Sequence, residues 1–538
     1  MILNRATQLS CALAALLGVA GSLQGQVTET TPPASSSSAD SLEALRADFE
    51  ALREHNQSLE ERNEVLSSSL ETQNRDWLTT ERASEIRGIV QDVLADSQSR
   101  TSLQDSGMMA GYKAGKGFFL SNADGSFSLG ISGQLQTRWV LNNNPGNIDL
   151  RGNGEETSWG FQVRRAHVRF QGNVIDPTWT YAINGAFEGP DEGNTAQDFG
   201  GSLSWGADVP SNGGVFQFQE AYIAKELDNG ITLTFGQFKT PWMREELVDS
   251  SQQLAVERSV INEYFNQDRA VGIMANWNND DFNVSASYNN GQASAIYQNT
   301  RYTNFNNSPT DWSFSARGEW KLSGDWSDFD SFTSSPGDEQ AIMVGVAVMG
   351  QKYNQNAGVL ALDLAPVVTA ELDLDGTTVW GFTADISAKF GGFSIFAAGV
   401  WQNYDPSYAG TVDGAAIPEN FSGSSYDPWG VVVQAGYSLN DQWELFARYE
   451  EGNASVENFF ENDAFGDISA LFTDGGNPSI LTIGANYFIN DNVKFTVDWG
   501  INFADQMDLF SQEPSNTGWE SSDDSDQWVL RAQVQLLF

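Results

Sequence analysis

From about residue 127 to Phe538, apolar and polar side chains alternate with a period of two in one segment after another. That period sends the apolar members to one face of a strand and the polar members to the other. FSLGISGQLQTRWVL sets Phe127, Leu129, Ile131, Leu135 and Trp139 against Ser128, Ser132, Gln134, Gln136 and Arg138. DWSFSARGEWKL sets Trp312, Phe314, Ala316 and Trp320 against Ser313, Ser315, Arg317, Glu319 and Lys321. NVKFTVDWGINF sets Val493, Phe495, Val497, Trp499, Ile501 and Phe503 against Lys494, Thr496, Asp498 and Asn502. Sixteen such segments start near residues 127, 159, 178, 215, 230, 268, 281, 311, 339, 376, 392, 428, 441, 478, 491 and 526. Parity slips once, at Val163 to Arg165.

The connections set the topology. Tight links such as IDPT, LDNG, NNDD, GG, LND and IND alternate with long ones rich in Asn, Asp, Gly and Ser. Ser323 to Asp338 is the exception, a longer acidic stretch where a tight link is due. Short turns at one end and long loops at the other describe an outer-membrane barrel with both termini on the turn side. A soluble sandwich also alternates, but it has no need of aromatics at its strand ends. Here Trp139, Trp159, Trp179, Trp277, Trp312, Trp320, Trp401, Trp443 and Trp528 mark segments in that way, as girdles at two membrane interfaces would. In lipid every backbone amide needs an internal partner, so the sheet must close. Sixteen strands close around a lumen too wide for side chains to fill. The expectation is an all-β fold, a 16-stranded antiparallel transmembrane β-barrel over 117–538, preceded by an N-terminal α-helical coiled coil. QWVLRAQVQLLF is then the last stave, pairing with the first, and its terminal Phe resembles the signature read by the outer-membrane assembly machinery.

The chain before the barrel divides by composition. Residues 1–25 carry Arg5, an apolar stretch from Cys11 to Ala20 and small residues near Gly25, the pattern of a secretory signal. Cys11 is the only cysteine, so the mature chain is expected to hold neither disulfides nor thiols. A Ser/Thr/Pro linker over 26–39 leads to 40–97, where Leu42, Leu45, Phe49, Leu52, Asn56, Leu59, Asn63, Leu66, Leu70 and Trp77 recur at steps of three and four. That is a heptad seam, with Asn56 and Asn63 at positions where a buried amide fixes oligomer register. A periplasmic coiled coil and a homo-oligomer follow; 98–116 reads as a second linker. No apolar run of eighteen residues follows the N-terminus, and the net charge of −43 argues against a nucleic-acid partner.

A pore discriminates by its width and by the charges at its narrowest part. With apolar residues outward, the inward basic positions include Arg138, Arg165, Arg169, Arg317, Lys321, Lys389, Arg448, Lys494 and Arg531, with fewer inward acids. FQVRRAHVRFQG places Arg165, His167 and Arg169 on the inner face, with like-facing residues about 7 Å apart. After the fifth segment, GQFKTPWMREELVDSSQQLAVERSVINEYFNQDRAVG is neither a strand nor an ordinary polar loop. Its apolar anchors must pack somewhere, and folding back into the barrel is the economical solution.

GQFKTPWMREEL with VERSVINEYFNQDRAVGI resembles the third-loop region of the phosphate-selective porin O and P family. RRAHVRFQGNVIDPTWTYAI resembles that family's second and third strands, and the likeness extends over Gly117 to Phe538. The resemblance implies a trimeric porin whose third loop lies inside and whose pore cations handle anions, phosphate in the best-known members. By position Lys239, Arg244, Arg258 and Arg269 match the basic sites of the loop motif, and Arg165 and Arg169 those of the strand motif. The coiled coil and the acidity of the outer loops depart from the family pattern.

Enzymatic readings lack groups to carry them. The two histidines are His55 and His167, and neither a Cys/His metal spacing nor a nucleophile elbow is present. The acidic clusters ELDLDG and ENDAFGD read as solvated loops rather than metal sites, and no cofactor is expected. Two functions of different class remain. One is an outer-membrane channel for passive diffusion of small hydrophilic solutes, with anion preference. The other is a structural anchor whose coiled coil tethers the outer membrane to the cell-wall layer.

Overall fold

The computed structural model describes residues 107–145, 156–188, 215–291, 308–354, 375–405, 427–453, 477–504, 517–520 and 525–538. It also describes strand stretches at 359–363, 369–373, 409–412 and 415–416, residue 425, and scattered positions between 50 and 64. The chain divides into a unit over 1–103 and another over 104–538. In the first, Glu50, Arg53, Glu54, Gln57, Ser58, Glu60, Glu61, Arg62 and Glu64 are helical and exposed. The expected signal segment, Asn56 and Asn63 lie outside the described residues.

The second unit is built of strands: β1 (Met109–Lys113), β2 (Gly117–Ser121), β3 (Ser128–Asn143), β4 (Thr157–Asn173), β5 (Trp179–Glu188), β6 (Val215–Glu226), β7 (Ile231–Lys239), β8 (Arg269–Asn278), β9 (Phe282–Asn289), β10 (Thr310–Ser323), β11 (Ala341–Tyr353), β12 (Val359–Asp363), β13 (Thr369–Asp373), β14 (Thr378–Lys389), β15 (Phe393–Asp405), β16 (Ala409–Val412), β17 (Ala415–Ala416), β18 (Trp429–Ser438), β19 (Trp443–Asn453), β20 (Ser479–Asn490), β21 (Val493–Asn502) and β22 (Trp528–Leu537). Sixteen of them, β3–β11, β14, β15 and β18–β22, form one closed antiparallel barrel, as the alternation predicts. Closure is made by β22 on β3, with Trp528 opposite Asn143 and Leu537 opposite Gln134. Where β22 ends, β2 takes its place beside Ser128–Ile131 of β3, and β1 completes a hairpin with β2. Strand β1 thus occupies part of the stretch read as a linker. β12, β13, β16 and β17 make a separate four-stranded sheet from two of the long loops.

The two faces of the barrel invert the pattern of a soluble protein. Phe161, Phe235, Ile273, Val346, Phe382, Ile483 and Val534 are exposed on the outer face, Val346 to 53%. Gln136, Ser313, Gln351, Thr482, Asn486 and Gln533 are buried on the inner face. Burying amides and hydroxyls while presenting hydrocarbon outward is favourable only where the surroundings are apolar, because a closed ladder already satisfies the backbone. The parity slip has a structural cause. Gln136 stands opposite Arg165 but Thr137 opposite Val163, so Arg164 is the extra residue of a β-bulge. The bulge keeps Trp159 and Phe161 outward and turns both Arg164 and Arg165 inward.

The third loop and its charged frame

The loop between β7 and β8, residues 240–268, lies inside the barrel, as its apolar anchors predicted. Its local structure follows from its caps. Asp249 accepts from Ser251 N at the head of the short 3₁₀ turn Ser250–Gln252, and Ser259 accepts from Asn262 N at the head of the helix Val260–Phe265. Trp242, Met243, Val248, Leu254, Ile261 and Phe265 are all almost fully buried. The wall makes room for them with glycine. A Cβ on Gly381 would stand 2.9 Å from the Trp242 ring, and one on Gly430 would stand 2.7 Å from Ile261.

A buried irregular segment has no ladder to satisfy its backbone, so its amides and carbonyls need other partners. Here the charged side chains of the wall supply them. Asp498 accepts from Val256 N at 2.9 Å, and Glu450 accepts from Val260 N at 2.6 Å. In the other sense, Arg448 donates to Glu257 O (2.8 Å), Arg317 to Trp242 O (3.2 Å) and Lys494 to Ser251 O and Gln253 O (3.2 and 3.0 Å). Wall arginines are in turn neutralised: Arg317 by Asp385 and Glu319, Arg448 by Glu450, and Arg531 by Asp498. A further segment, at residues 517–520, packs against the wall, where Arg531 and Asn142 donate to Thr517 O and Gly518 O and Trp519 is buried.

The densest charge lies where the bulge meets the loop. Glu257 receives Arg138 at 2.7 Å, Arg164 at 2.9 Å and Arg165 at 2.8 Å, three guanidiniums on one carboxylate. Burial alone would raise that carboxyl, but Arg164, Arg165 and Arg138 together hold it well below the ordinary carboxylate range. Glu263 shows the opposite balance: burial, and then the Glu246 carboxylate, push it up to about 7.

The predicted site residues therefore divide into groups. Arg138, Arg165, Arg317, Arg448 and Arg531 face inward as parity requires but are each at most 5% exposed; the first four fasten the loop, and Arg531 holds Asp498 and the segment at Thr517. Within the loop motif, Arg258 pairs with Glu246 at 3.3 Å and donates to the carbonyls of Glu245 and Val248, while Lys239 donates to Glu246 O. Arg269 bridges Glu220 and Glu246, and Arg244 reaches Glu319. His167 and Arg169 face a cavity of about 860 Å³ on the turn side of the loop against β3–β8, which Asn184, Glu220, Lys239 and Asp249 also line. There Arg169 meets Asp249 at 3.3 Å, with both side chains 35% exposed. Screening by water makes this the weakest of the links between wall and loop. Two residues of consequence escaped the sequence reading. Arg164 was hidden by the bulge, and Glu257 carried no sign that it would gather three arginines.

The model of the phosphate-selective porin O and P family matches residues 141–508. The chain belongs to that family. As a porin O and P member it is an outer-membrane channel. No curated protein matches its sequence. Among solved structures it is similar to OmpT of Vibrio cholerae, at 12% identity over 77% of this chain and 98% of that one, with a TM-score of 0.45. It is likewise similar to the outer membrane channel DcaP of Acinetobacter baumannii, at 13% identity over 80% and 100% of the two chains, TM-score 0.45. The anion-selective porin from Comamonas acidovorans matches at 11% identity over 77% and 100%, TM-score 0.43. Within the family frame the turn end of the barrel is periplasmic and the loop end extracellular.

Proposed function

We propose that this porin passes small hydrophilic solutes by diffusion with a preference for anions. The supporting observation is the arginine line on β4: Arg169 borders the cavity with its side chain 35% exposed, and behind the loop Arg164 and Arg165 join Arg138 as three guanidiniums against the one carboxylate of Glu257. A low-dielectric wall concentrates the field of such a line in the water beside it. The chain would form trimers, as the family resemblance of the third loop implies, with 40–97 as a periplasmic coiled coil joining the three. A preference for phosphate over other anions is supported by the loop motif.

The charge claim is tested in planar bilayers under a salt gradient. Arg169→Glu, at the exposed end of the line, should move the reversal potential toward the cation value, and Arg164→Gln should move it less. An unchanged potential in both variants would remove β4 from the selectivity determinants. Tethering through the coiled coil, the second role read from the sequence, is tested by deleting Ser41 to Ala95. The porin reading expects conductance to persist while the trimer dissociates at lower temperature in detergent. Envelope detachment with an unaltered trimer would favour the anchor instead.

A further inference from the structure

The periplasmic link between β10 and β11 does not turn tightly; it folds inward. Gly324, at φ +87 and backed against Ala341, starts it, and Asp325 caps the short turn Trp326–Phe329. Residues 324–338 then run beneath the third loop as a strap. Phe329 packs on Ala341 and Met343 of β11, and its carbonyl accepts from Arg244 of the loop. Phe332 N donates to Gln252 O of the loop at 3.1 Å. Thr333 donates to Glu444 of β19 at 3.0 Å, Ser334 accepts from Gly392 N at 3.1 Å, and Ser438 of β18 donates to Ser334 O at 2.6 Å. The strap therefore reaches across the mouth from β10 to β19.

What lies between strap, loop and wall is a hydrophobic core inside a channel. Phe332 joins Val248, Leu254 and Ala255 of the loop and Phe396, Val432 and Phe446 of the wall, and every one is buried. These wall residues occupy inward positions that a wetted bore would fill with polar groups. Even the polar inward neighbours Ser394 and Gln434 are 3% and 2% exposed. On the opposite side, against β3–β8, the positions that border the cavity are mostly polar, with Ala182, Ala224 and Met274 among them.

From this asymmetry we infer that the strap is a specificity-determining element of the channel. With the third loop it seals the bore against β11–β19, so that solutes reach the periplasm only through the cavity along β3–β8. The size limit of the porin is then set by one side of its barrel. The inference rests on the channel reading, and wild-type conductance recorded in parallel separates failure of one from failure of the other.

Replacing Asp325–Pro336 with a short Gly/Ser linker should raise single-channel conductance about twofold, since a sixteen-strand lumen is wide once emptied. The size of polyethylene glycol that enters the pore should rise with it. A folded, heat-modifiable barrel with unchanged conductance and cut-off would overturn the inference. Thiol labelling tests the same point without removing the strap, in variants lacking Cys11. Asn276→Cys, in the cavity, should react readily with a membrane-impermeant thiol reagent. Ser394→Cys, behind the strap, should resist it until Phe332→Asp is added to expel the strap. Equal labelling of both single variants would overturn the inference even if the linker variant failed to fold.

Discussion

Glu257→Gln should destabilise the folded barrel by roughly 3–5 kcal/mol, the range for removing one partner from a buried ion pair. Glutamine keeps the shape but leaves Arg138, Arg164 and Arg165 facing one another without the carboxylate that all three contact. A surface pair calibrates the scale. Lys352 and Asp311 approach to 3.2 Å with both side chains more than 40% exposed, so Asp311→Asn should cost about 0–1 kcal/mol. Denaturant midpoints in detergent measure both, and recordings from the Glu257→Gln channel should show added open-state noise as the loop loosens. Adding Arg165→Met should recover part of the loss by removing one uncompensated charge. Equal midpoints for Glu257→Gln and Asp311→Asn would refute the anchoring role. The pH dependence has a definite sign. Because the folded state holds this carboxyl low, its contribution is fully present above the ordinary glutamate value of about 4.3 and fades only as pH falls toward the depressed one. The Glu257 contribution to loop anchorage should therefore be constant from pH 5 to 8 and weaken in stronger acid.

The second large effect lies on the opposite face. Val346→Arg, near the middle of β11 and exposed outward, should cost roughly 2–4 kcal/mol, the penalty for an arginine at the bilayer midplane of a β-barrel. Refolding yield into lipid vesicles reads this directly. Asn276→Lys, which places its new charge in the cavity, should change the yield little. If the two variants assembled alike, the outward face would not be meeting acyl chains.

The staves were legible because a strand with lipid on one side and polar groups on the other writes its period into every second residue. The third loop was legible for a related reason: anchors such as Trp242 and Leu254 have no place in a solvated connection. The fate of the inward arginines was not. Alternation says which way Arg317 or Arg448 points but not what covers it, and the covering residues lie far away along the chain. Yet a trace of the covered side was present. β15, FSIFAAGVW, carries Phe396 and Val400 at inward parity, and β18 carries Val432. A strand apolar on both faces is dry on both faces, so departures from alternation marked the side where strap and loop pack. The bulge at Arg164 likewise surfaced as a broken period without revealing its partner.

The seam between β22 and β3 bears on how the molecule comes into being. Gln136 and Gln535, joined across it at 2.7 Å, stand 399 positions apart. Contacts at that separation form late, because bringing such distant segments together costs chain entropy before any ladder repays it. Until then the nascent sheet has two open edges with unsatisfied amides, a hazard for pairing with other chains. Guarding those edges falls to whatever machinery escorts the polypeptide, and a lesion confined to the first or last stave should show itself as failed biogenesis rather than as an altered current.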